Sequence, residues 1–533
     1  MSTTVADKGS AAESPGEDDD KITAATLKVA GVVVLGMIMA ILDTTVVNVA
    51  LPTFQSEFEV DAYSTAAWTI TGYTLALAAV IPVTGWAADR FGTKRLYIAA
   101  LTLFTLGSIL CAFAWSIEAL IIFRVLQGLG GGMLMPLGMT IMTKAAGPHR
   151  MGRLMAILGI PMLLGPIGGP ILGGWLIDAV SWHWIFLINL PLGIAAIIYA
   201  QVVLPKDAPE PSESFDLVGM LLMSPGLALF LYGVSSIPGE GTVAAAEVLA
   251  PGLIGLALIA AFVVWAFRPE HPLLDLSLFR NRNLTISTIV MFLFAGSFFG
   301  AMLLVPTYFQ QVRGEDVLHA GLLVAPQGIG AMVTMPIAGT LADKWPVGRI
   351  VPIGLVTIVG GIIGLAMSTD VDTPYWQIIL FLFIMGLGMG AAMMPTFTSA
   401  LKTLRTHQVA RGSTLINVIQ QVAASVGVAV MSVVLTNQQN ASEALTAAGA
   451  IEQAERAGIE PPAWALETAQ RLGDAFQSTA LADLAHAFET TYWVATIALV
   501  ITLGASMFLP RRHVKTDVPD DKDEAAPPSV VLH

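Results

Sequence analysis

The chain has 533 residues, of which 55% are hydrophobic and 12% are charged, and its formal net charge is −13. Soluble proteins carry about 25% charged residues, so this composition excludes an ordinary soluble protein and favours a chain that crosses a bilayer many times. Much of the negative charge lies in two hydrophilic ends, and no basic patch indicates a nucleic-acid partner. The single cysteine, Cys111, excludes a disulfide framework and a thiolate metal cluster.

Apolar runs of about 20 residues, each long enough to cross a bilayer as a helix, recur along the chain. We predict fourteen transmembrane spans, at residues 27–51, 63–85, 95–115, 117–143, 153–177, 184–204, 217–237, 248–268, 285–308, 318–341, 348–368, 376–401, 411–435 and 488–509. Because the number is even, both termini should lie on the same side of the membrane.

Lysine and arginine are distributed unequally between the two sets of loops that join these spans. One set holds Arg90, Lys94, Arg95, Lys144, Arg150, Arg153, Lys206, Arg268, Arg280, Arg282, Lys344, Arg349, Lys402, Arg405 and Arg411, whereas the other holds only Arg313, Arg456 and Arg471. Basic loops stay in the cytoplasm, so we predict a multi-pass protein of the plasma membrane with both termini cytoplasmic.

An internal repeat relates the two halves of the chain. Four positions recur after 254 residues: Pro52 as Pro306, Pro82 as Pro336, Gly85 as Gly339 and Asp89 as Asp343. Farther along, Gly128-Leu129-Gly130 recurs as Gly386-Leu387-Gly388 after 258 residues. The repeats have the same topology, and parallel repeats are a transporter architecture. The sequence therefore predicts an all-α integral membrane protein with two parallel six-helix repeats and two inserted helices.

The repeat divides the chain into five predicted parts. They are a disordered cytoplasmic tail at 1–24, an N-terminal six-helix bundle at 25–204, two inserted transmembrane helices at 205–283, a C-terminal six-helix bundle at 284–510, and a second disordered tail at 511–533. The C-terminal bundle includes the long outside loop 436–487, which is rich in Ala, Glu and Gln and which we expect to be partly helical. This loop is a candidate docking site for an accessory protein.

The loop between the second and third spans combines small and charged residues. It contains Gly85, Asp89, Arg90, Gly92 and Arg95, and the second repeat retains Asp343, Lys344 and Arg349. Glycines permit a tight turn and close helix approach. A positive-inside anchor would explain the bases but would not explain why the acid is repeated. We favour a gate latch, and we expect Asp89, in the fuller motif, to matter more than Asp343.

Two opposite charges are predicted inside the bilayer. From a rise of 1.5 Å per residue, Asp43 in the first span and Arg124 in the fourth both lie about 10–12 Å below the external surface. They can therefore face each other, either as a static ion pair or as a protonatable carboxylate held by a cation, and we favour the second. The second repeat has Ser297 and Leu382 at the corresponding positions.

The fifth span contains an unusual run of glycine and proline, including Gly165, Pro166, Gly168 and Gly169. Such a composition permits a kinked span with tight helix contacts in lipid. A packing role and a hinge role both remain open.

Four segments resemble the signature motifs of the major facilitator superfamily. They are Leu42-Asp43-Thr44-Thr45 through Pro52, Gly85 to Arg95, Arg124 to Gly132, and Gly165 to Gly169. With fourteen spans, residues 27–510 resemble the drug:proton antiporter branch of the EmrB and QacA type. The resemblance implies proton coupling at Asp43 with Arg124 as its partner, gating by the loop motif, and an antiporter motif at Gly165, Pro166, Gly168 and Gly169.

These observations predict a proton-coupled antiporter, not an enzyme, that exports lipophilic drugs or related amphiphiles by alternating access. No phosphate-binding Gly-x4-Gly-Lys-[Ser/Thr] loop occurs, so the proton gradient is the expected energy source, with no cofactor or metal. Polar candidates for the cavity wall are Asn48, Tyr73, Gln127, Gln310, Gln327, Asn417 and Gln420.

The main alternative function is a dedicated exporter of an endogenous cell-envelope lipid or metabolite, because the motifs do not separate these substrates. A nutrient symporter is disfavoured by the glycine- and proline-rich fifth span. An intramembrane enzyme would need converging His, Ser or acidic groups, and most of the eight histidines lie in loops, in tails or at span ends.

Overall fold

The computed structural model describes residues 23–60, 63–146, 151–206, 214–240, 244–405 and 408–512, and these residues form helices and no strand. The α-helices are α1 (Ala24–Glu57), α2 (Tyr63–Phe91), α3 (Thr93–Ala112), α4 (Ile117–Ala146), α5 (Met151–Ala179), α6 (Trp184–Leu187), α7 (Asn189–Val203), α8 (Leu217–Glu240), α9 (Ala246–Trp265), α10 (Arg282–Gln311), α11 (Val317–Lys344), α12 (Val347–Ala366), α13 (Tyr375–Leu401), α14 (Val409–Asn440), α15 (Glu443–Ala457), α16 (Ala463–Leu472) and α17 (Phe476–Ser506). The predicted tails lie almost entirely outside the described residues.

Thirteen helical segments in the described part of the chain are long and apolar enough to cross a membrane, with α6 and α7 counted as one span. The remaining predicted span, at 153–177, corresponds to α5, an apolar helix of 29 residues. Inside lipid the backbone must satisfy its hydrogen bonds within each segment, which explains why every span is a helix. The helix that contains the last predicted span begins before it, at Phe476 rather than near residue 488.

The two halves use the same packing pattern, as the sequence repeat predicts. In the first half, α1 packs on α5, α2 on α4, and α3 on α4 and α7. In the second half, the equivalent pairs are α10 with α14, α11 with α13, and α12 with α13 and α17. Even the close approach of helices is repeated: a Cβ added to Gly128 would lie 2.5 Å from the carbonyl oxygen of Tyr73, and one added to Gly386 would collide with that of Gln327.

Contacts between the halves are also related by the repeat. Helix α2 packs on α14, and its equivalent α11 packs on α5. The inserted helices α8 and α9 pack on each other, and α8 also contacts both α2 and α14. The insert therefore lies beside the seam between the halves. The predicted domain boundaries remain predictions.

Asp216 joins the start of α8 to the segment after α9. Its carboxylate accepts hydrogen bonds from the backbone N–H of Gly219 at 2.7 Å, from Nε1 of Trp265 at 2.9 Å and from the backbone N–H of Leu273 at 3.1 Å. A buried carboxylate needs such donors to offset the loss of water, so we assign Asp216 to the architecture of the insert.

The long loop 436–487 is helical, which confirms the expectation of partial helicity. Ser442 caps α15 by accepting a hydrogen bond from the backbone N–H of Leu445, and its hydroxyl donates to Asp483 on α17 at 2.6 Å. Arg471 on α16 pairs with Glu443 on α15. The exposed side chains of Ile459 and Trp464 leave apolar surface on this loop, and an accessory-protein site there stays a prediction.

Candidate proton and substrate site

The two predicted intramembrane charges form an ion pair. Nη1 of Arg124 on α4 lies 2.5 Å from Oδ2 of Asp43 on α1, and both side chains are 0% exposed. The structure therefore brings together the two residues that the helical rise places at a similar level, and their depth in the membrane stays a prediction. A single buried charge is very costly in a low-dielectric interior, so each group stabilises the other in its charged form.

Two amides complete the binding of the Asp43 carboxylate. Oδ1 accepts hydrogen bonds from Nε2 of Gln127 at 2.7 Å and from Nδ2 of Asn189 at 3.1 Å. Asn189 begins α7, where the sixth span is divided, and its Nδ2 also contacts the Ser108 hydroxyl at 3.0 Å. The carboxylate thus connects α1, α4 and α7. The sequence analysis did not identify Asn189 or Ser108, and the only signal was an amide within an apolar span.

Aromatic and thiol groups surround the pair on its other sides. The guanidinium carbon of Arg124 lies 4.0 Å from the ring centre of Tyr73 and 5.8 Å from that of Phe186. The Phe186 ring stacks on Phe54, which also contacts Trp182 edge to face, and all three rings are buried. Among the groups nearest the pair, Tyr73 and Cys111 are the additional titratable side chains, with the Cys111 sulfur 3.5 Å from Oε1 of Gln127.

A cavity of about 370 Å³ lies next to the pair, between α1, α2 and α4 of the first half and α10 and α14 of the second. Most of its wall is apolar, with Met37, Leu77 and Phe299 among the lining residues. Its polar wall consists of Thr44, Thr45, Tyr73, Asn417, Gln420 and Gln421, and none of the lining residues that the structure describes is charged. The structure therefore places three predicted candidates, Tyr73, Asn417 and Gln420, at one cavity.

The other candidates for the cavity wall lie elsewhere. Asn48 lines a second cavity of about 530 Å³ between α1, α8, α10 and α14. Gln127 is bonded within the Asp43 cluster, and Gln310 is exposed near the end of α10. Gln327 is 3% exposed on α11, where it packs against Gly386 of α13. Sequence polarity alone did not separate cavity residues from residues of the helix contacts.

The antiporter motif brings α5 against the segment of α1 that carries Asp43. A Cβ added to Gly165 would collide with Ile41, and one added to Gly169 would collide with Thr45. A Cβ added to Gly168 would lie 3.5 Å from Cδ2 of Leu42, which is an ordinary contact distance. The Pro166 side chain lies outside the described part of the structure. These contacts show packing of α5 on α1, and the hinge role stays a prediction.

Each predicted gate acid forms an ion pair with a base of the opposite half. Oδ2 of Asp89 on α2 lies 3.3 Å from Nε of Arg411 on α14. Oδ2 of Asp343 on α11 lies 3.2 Å from Nε of Arg153 on α5. We call the end of the molecule that carries the Asp89–Arg411 and Asp343–Arg153 pairs the basic end. Arg153 and Arg411 are 258 residues apart, the offset that relates Gly128 to Gly386, so the sequence contained a signal for these partners.

The remaining residues of the gate motif support the turn between α2 and α3. Gly85 permits close approach to α14, because an added Cβ would lie 3.0 Å from Oγ1 of Thr414. Gly92 has a φ of 91°, which a glycine adopts without strain. Arg90 lies in the last turn of α2, and Arg95 is exposed in the first turn of α3.

The second gate motif is shorter. Lys344 ends α11, and Arg349 is exposed near the start of α12. In both halves the acid therefore pairs across the seam, with a base that lies outside its own motif.

Comparisons with known proteins agree with this architecture. A sequence model of the Major Facilitator Superfamily matches residues 33–428. The chain is 48% identical over 495 residues to the multidrug resistance protein B homolog of Mycobacterium tuberculosis, covering 92% of each protein. It is 30% identical to the multidrug export protein EmrB of Escherichia coli, over 76% of this chain and 79% of the relative.

Two solved structures have similar folds. The human organic anion transporter MFSD10 aligns with a TM-score of 0.57 at 14% identity, covering 89% of this chain and 99% of the other. The proton:xylose symporter XylE aligns with a TM-score of 0.54 at 13% identity, covering 90% and 94%. At these identities the likeness shows the shared fold.

Proposed function

Because the chain belongs to the major facilitator superfamily, we propose that it is a proton-coupled antiporter that exports lipophilic drugs or related amphiphiles across the plasma membrane. The observation that carries the proposal is the buried Asp43–Arg124 pair beside an apolar cavity. Relatives whose names describe multidrug export support the same class of substrate. The proton gradient supplies the energy, and no cofactor takes part.

Proton binding at Asp43 changes the contacts that hold α1 to α4. The ionised carboxylate accepts bonds from Arg124, Gln127 and Asn189. Protonation removes its charge and therefore the attraction to the guanidinium, so the contacts between α1 and α4 weaken. A group whose charge state changes the packing of two helices can couple proton entry to a conformational change.

The cavity determines the class of substrate. Its volume, about 370 Å³, lies within the range of small-molecule sites, and its mainly apolar wall favours a lipophilic ligand. Asn417, Gln420 and Gln421 offer hydrogen-bonding groups, and Oε1 of Gln420 is buried without a partner among the described residues. Because the described part of the wall carries no charged residue, multiply charged cations are poor candidates.

The ion pairs at the basic end close that side of the transporter in the alternating-access cycle. The distribution of Lys and Arg indicates that this end is cytoplasmic, as are both termini. The ion pairs Asp89–Arg411 and Asp343–Arg153 support a state in which the cytoplasmic gate is latched. Each partly buried pair is worth on the order of 1 kcal/mol, so a modest change in the helices can open the gate.

The proposal is tested with purified protein in liposomes. An outward-directed proton gradient, with an acidic lumen, should drive accumulation of a lipophilic fluorescent dye in the lumen against its gradient, and a dye gradient should in turn drive proton movement in the opposite direction. A rate of dye transport that is the same with and without the proton gradient would contradict proton coupling. The same liposomes, loaded with labelled phospholipid in place of dye, test the alternative of a dedicated exporter of an envelope lipid, which would move lipid and leave the dye unmoved.

A further inference from the structure

The buried ion pair is enclosed on several sides by other groups of the first half. The Phe54, Trp182 and Phe186 rings pack together on the side away from the basic end. Asn189, with Ser108 behind it, covers Oδ1 of Asp43 from α7. With both side chains at 0% exposure, a proton cannot reach Asp43 unless one of these groups moves.

The cavity side is covered mainly by one side chain. Tyr73 lines the cavity, and its ring lies 4.0 Å from the guanidinium carbon of Arg124. Neither Arg124 nor Asp43 lines the cavity, so the Tyr73 ring stands between the cavity and the charges. The quadrupole of an aromatic ring attracts a desolvated cation, so the contact with Arg124 stabilises the observed position of the Tyr73 ring.

Among the described residues the buried Tyr73 hydroxyl makes no hydrogen bond of normal geometry, and the Thr44 side chain, which also lines the cavity, is close enough to interact with it. A Cβ added to Gly131, which also lines the cavity, would lie 2.8 Å from this hydroxyl. A buried hydroxyl without a partner is costly, which favours a partner that comes from the cavity. Glycine at 131 leaves the hydroxyl room beside the cavity wall.

We propose that Tyr73 is the gate between the substrate cavity and the proton site, and that it makes substrate occupancy and proton access mutually exclusive. In a hydrated cavity the ring can swing away from Arg124 and admit water to Asp43. A lipophilic substrate in the cavity leaves the ring no room and holds it over the guanidinium. This inference rests on the proposed antiport, and it names the residue through which the two ligands compete.

The second half provides a matched control. Gln327 is related to Tyr73 by the 254-residue offset and packs against Gly386 as Tyr73 packs against Gly128. In the second half, the positions that correspond to Asp43 and Arg124 are occupied by Ser297 and Leu382, which carry no charge. Gln327→Ala therefore removes a buried side chain at the equivalent place in the helix pair, beside the backbone contact with Gly386, without uncovering a proton site.

The test measures passive proton leak in voltage-clamped liposomes, with an internal pH dye and no substrate. Tyr73→Ala should raise the protein-dependent leak about tenfold, the order expected when one desolvated cation–π contact is lost. Tyr73→Phe should remain tight, because the ring and not the hydroxyl forms the barrier. Adding Asp43→Asn to Tyr73→Ala should abolish the leak, and Gln327→Ala should show none.

If Tyr73→Ala does not fold, Gly131→Ala supplies the measurement, because its added Cβ presses on the hydroxyl and should produce an intermediate leak. A passive proton leak in Tyr73→Ala no greater than that of the wild type would overturn the proposal. A leak that survives Asp43→Asn, or an equal leak in Gln327→Ala, would do the same by showing general packing damage. Failure of the proposed antiport is a separate result: the wild type would then show no dye-driven proton movement.

Discussion

The two halves of the molecule share a helix packing pattern but differ in what they bury at its centre. The first half buries an acid, a guanidinium and a tyrosine at positions where the second half has Ser297, Leu382 and Gln327. The second half packs in the same way without charges, so the fold does not require them. A buried ion pair is weak evidence for stability. Its presence in one half therefore points to function.

The gate differs from the proton site, because both halves contribute to it equally. Asp89 and Asp343 occupy equivalent positions, and each pairs with a base of the other half at almost the same distance. A gate that joins the two halves needs residues from both of them, whereas a proton site can be built from the residues of one half. Substitutions in the proton site and in the gate can test this contrast.

The largest expected effect is at Asp43. Asp43→Asn keeps the size of the side chain and removes its charge, so gradient-driven export should be abolished while the protein remains inserted in the membrane. Ser297→Ala, at the equivalent position, should transport normally. Liposome transport measured with both variants checks this, and retained proton-driven export by Asp43→Asn would disprove the assignment.

The second effect is at Arg124. Arg124→Ala leaves an acid without its counter-charge, which should cost about 3–5 kcal/mol of stability and favour the protonated carboxyl. Transport should then lose its pH dependence near neutrality. Leu382→Ala, a core truncation worth about 2–5 kcal/mol, should lower thermal stability similarly but keep the pH profile. An unchanged profile in Arg124→Ala would mean that the two charges do not communicate.

A smaller effect is expected at Asn189. Asn189→Ala removes one hydrogen bond to a charged group, worth about 1.5–3 kcal/mol, so the pH optimum of transport should move while export persists. Ser108→Ala removes the partner of Asn189 and the hydrogen bond from Ser108 to the backbone carbonyl of Phe186, but it leaves the Asn189–Asp43 bond in place and should move the optimum less. Equal shifts in the two variants would show that Asn189 acts through packing and not through the Asp43 carboxylate.

The smallest effects are expected at the gate. Breaking either ion pair should shift the population towards the state open at the basic end by a few-fold, since such pairs are worth about 1 kcal/mol. The sequence ranks Asp89 above Asp343, but the Asp343 side chain is 3% exposed against 15% for Asp89. We therefore expect comparable slowing by Asp89→Asn and Asp343→Asn, and more by both together.

Cysteine-accessibility labelling of the cavity from the basic end, in a Cys111→Ser background, measures the gate populations. Substrate affinity should be nearly unchanged in either single variant. Labelling that is equal in the wild type and the double variant would leave these charges as membrane anchors only.

Much of this arrangement was predictable from the sequence, for physical reasons. The bilayer restricts spans to helices, so a rise per residue converts position into depth and matches Asp43 with Arg124. The partners Asn189, Arg153 and Arg411 were not predicted, because helix rotation and the contacts across the seam are set by tertiary packing. Polarity alone also failed for Gln327, which is buried in a helix contact away from the cavity.

The most direct test of the central claim is proton release on substrate binding, measured with a pH dye in weakly buffered detergent solution. If Asp43 is the proton site and competes with substrate, the wild type and Ser297→Ala should release protons when a lipophilic substrate is added at a pH where the site is partly protonated. Asp43→Asn should bind the substrate and release none. Proton release by Asp43→Asn equal to that of the wild type would contradict the account.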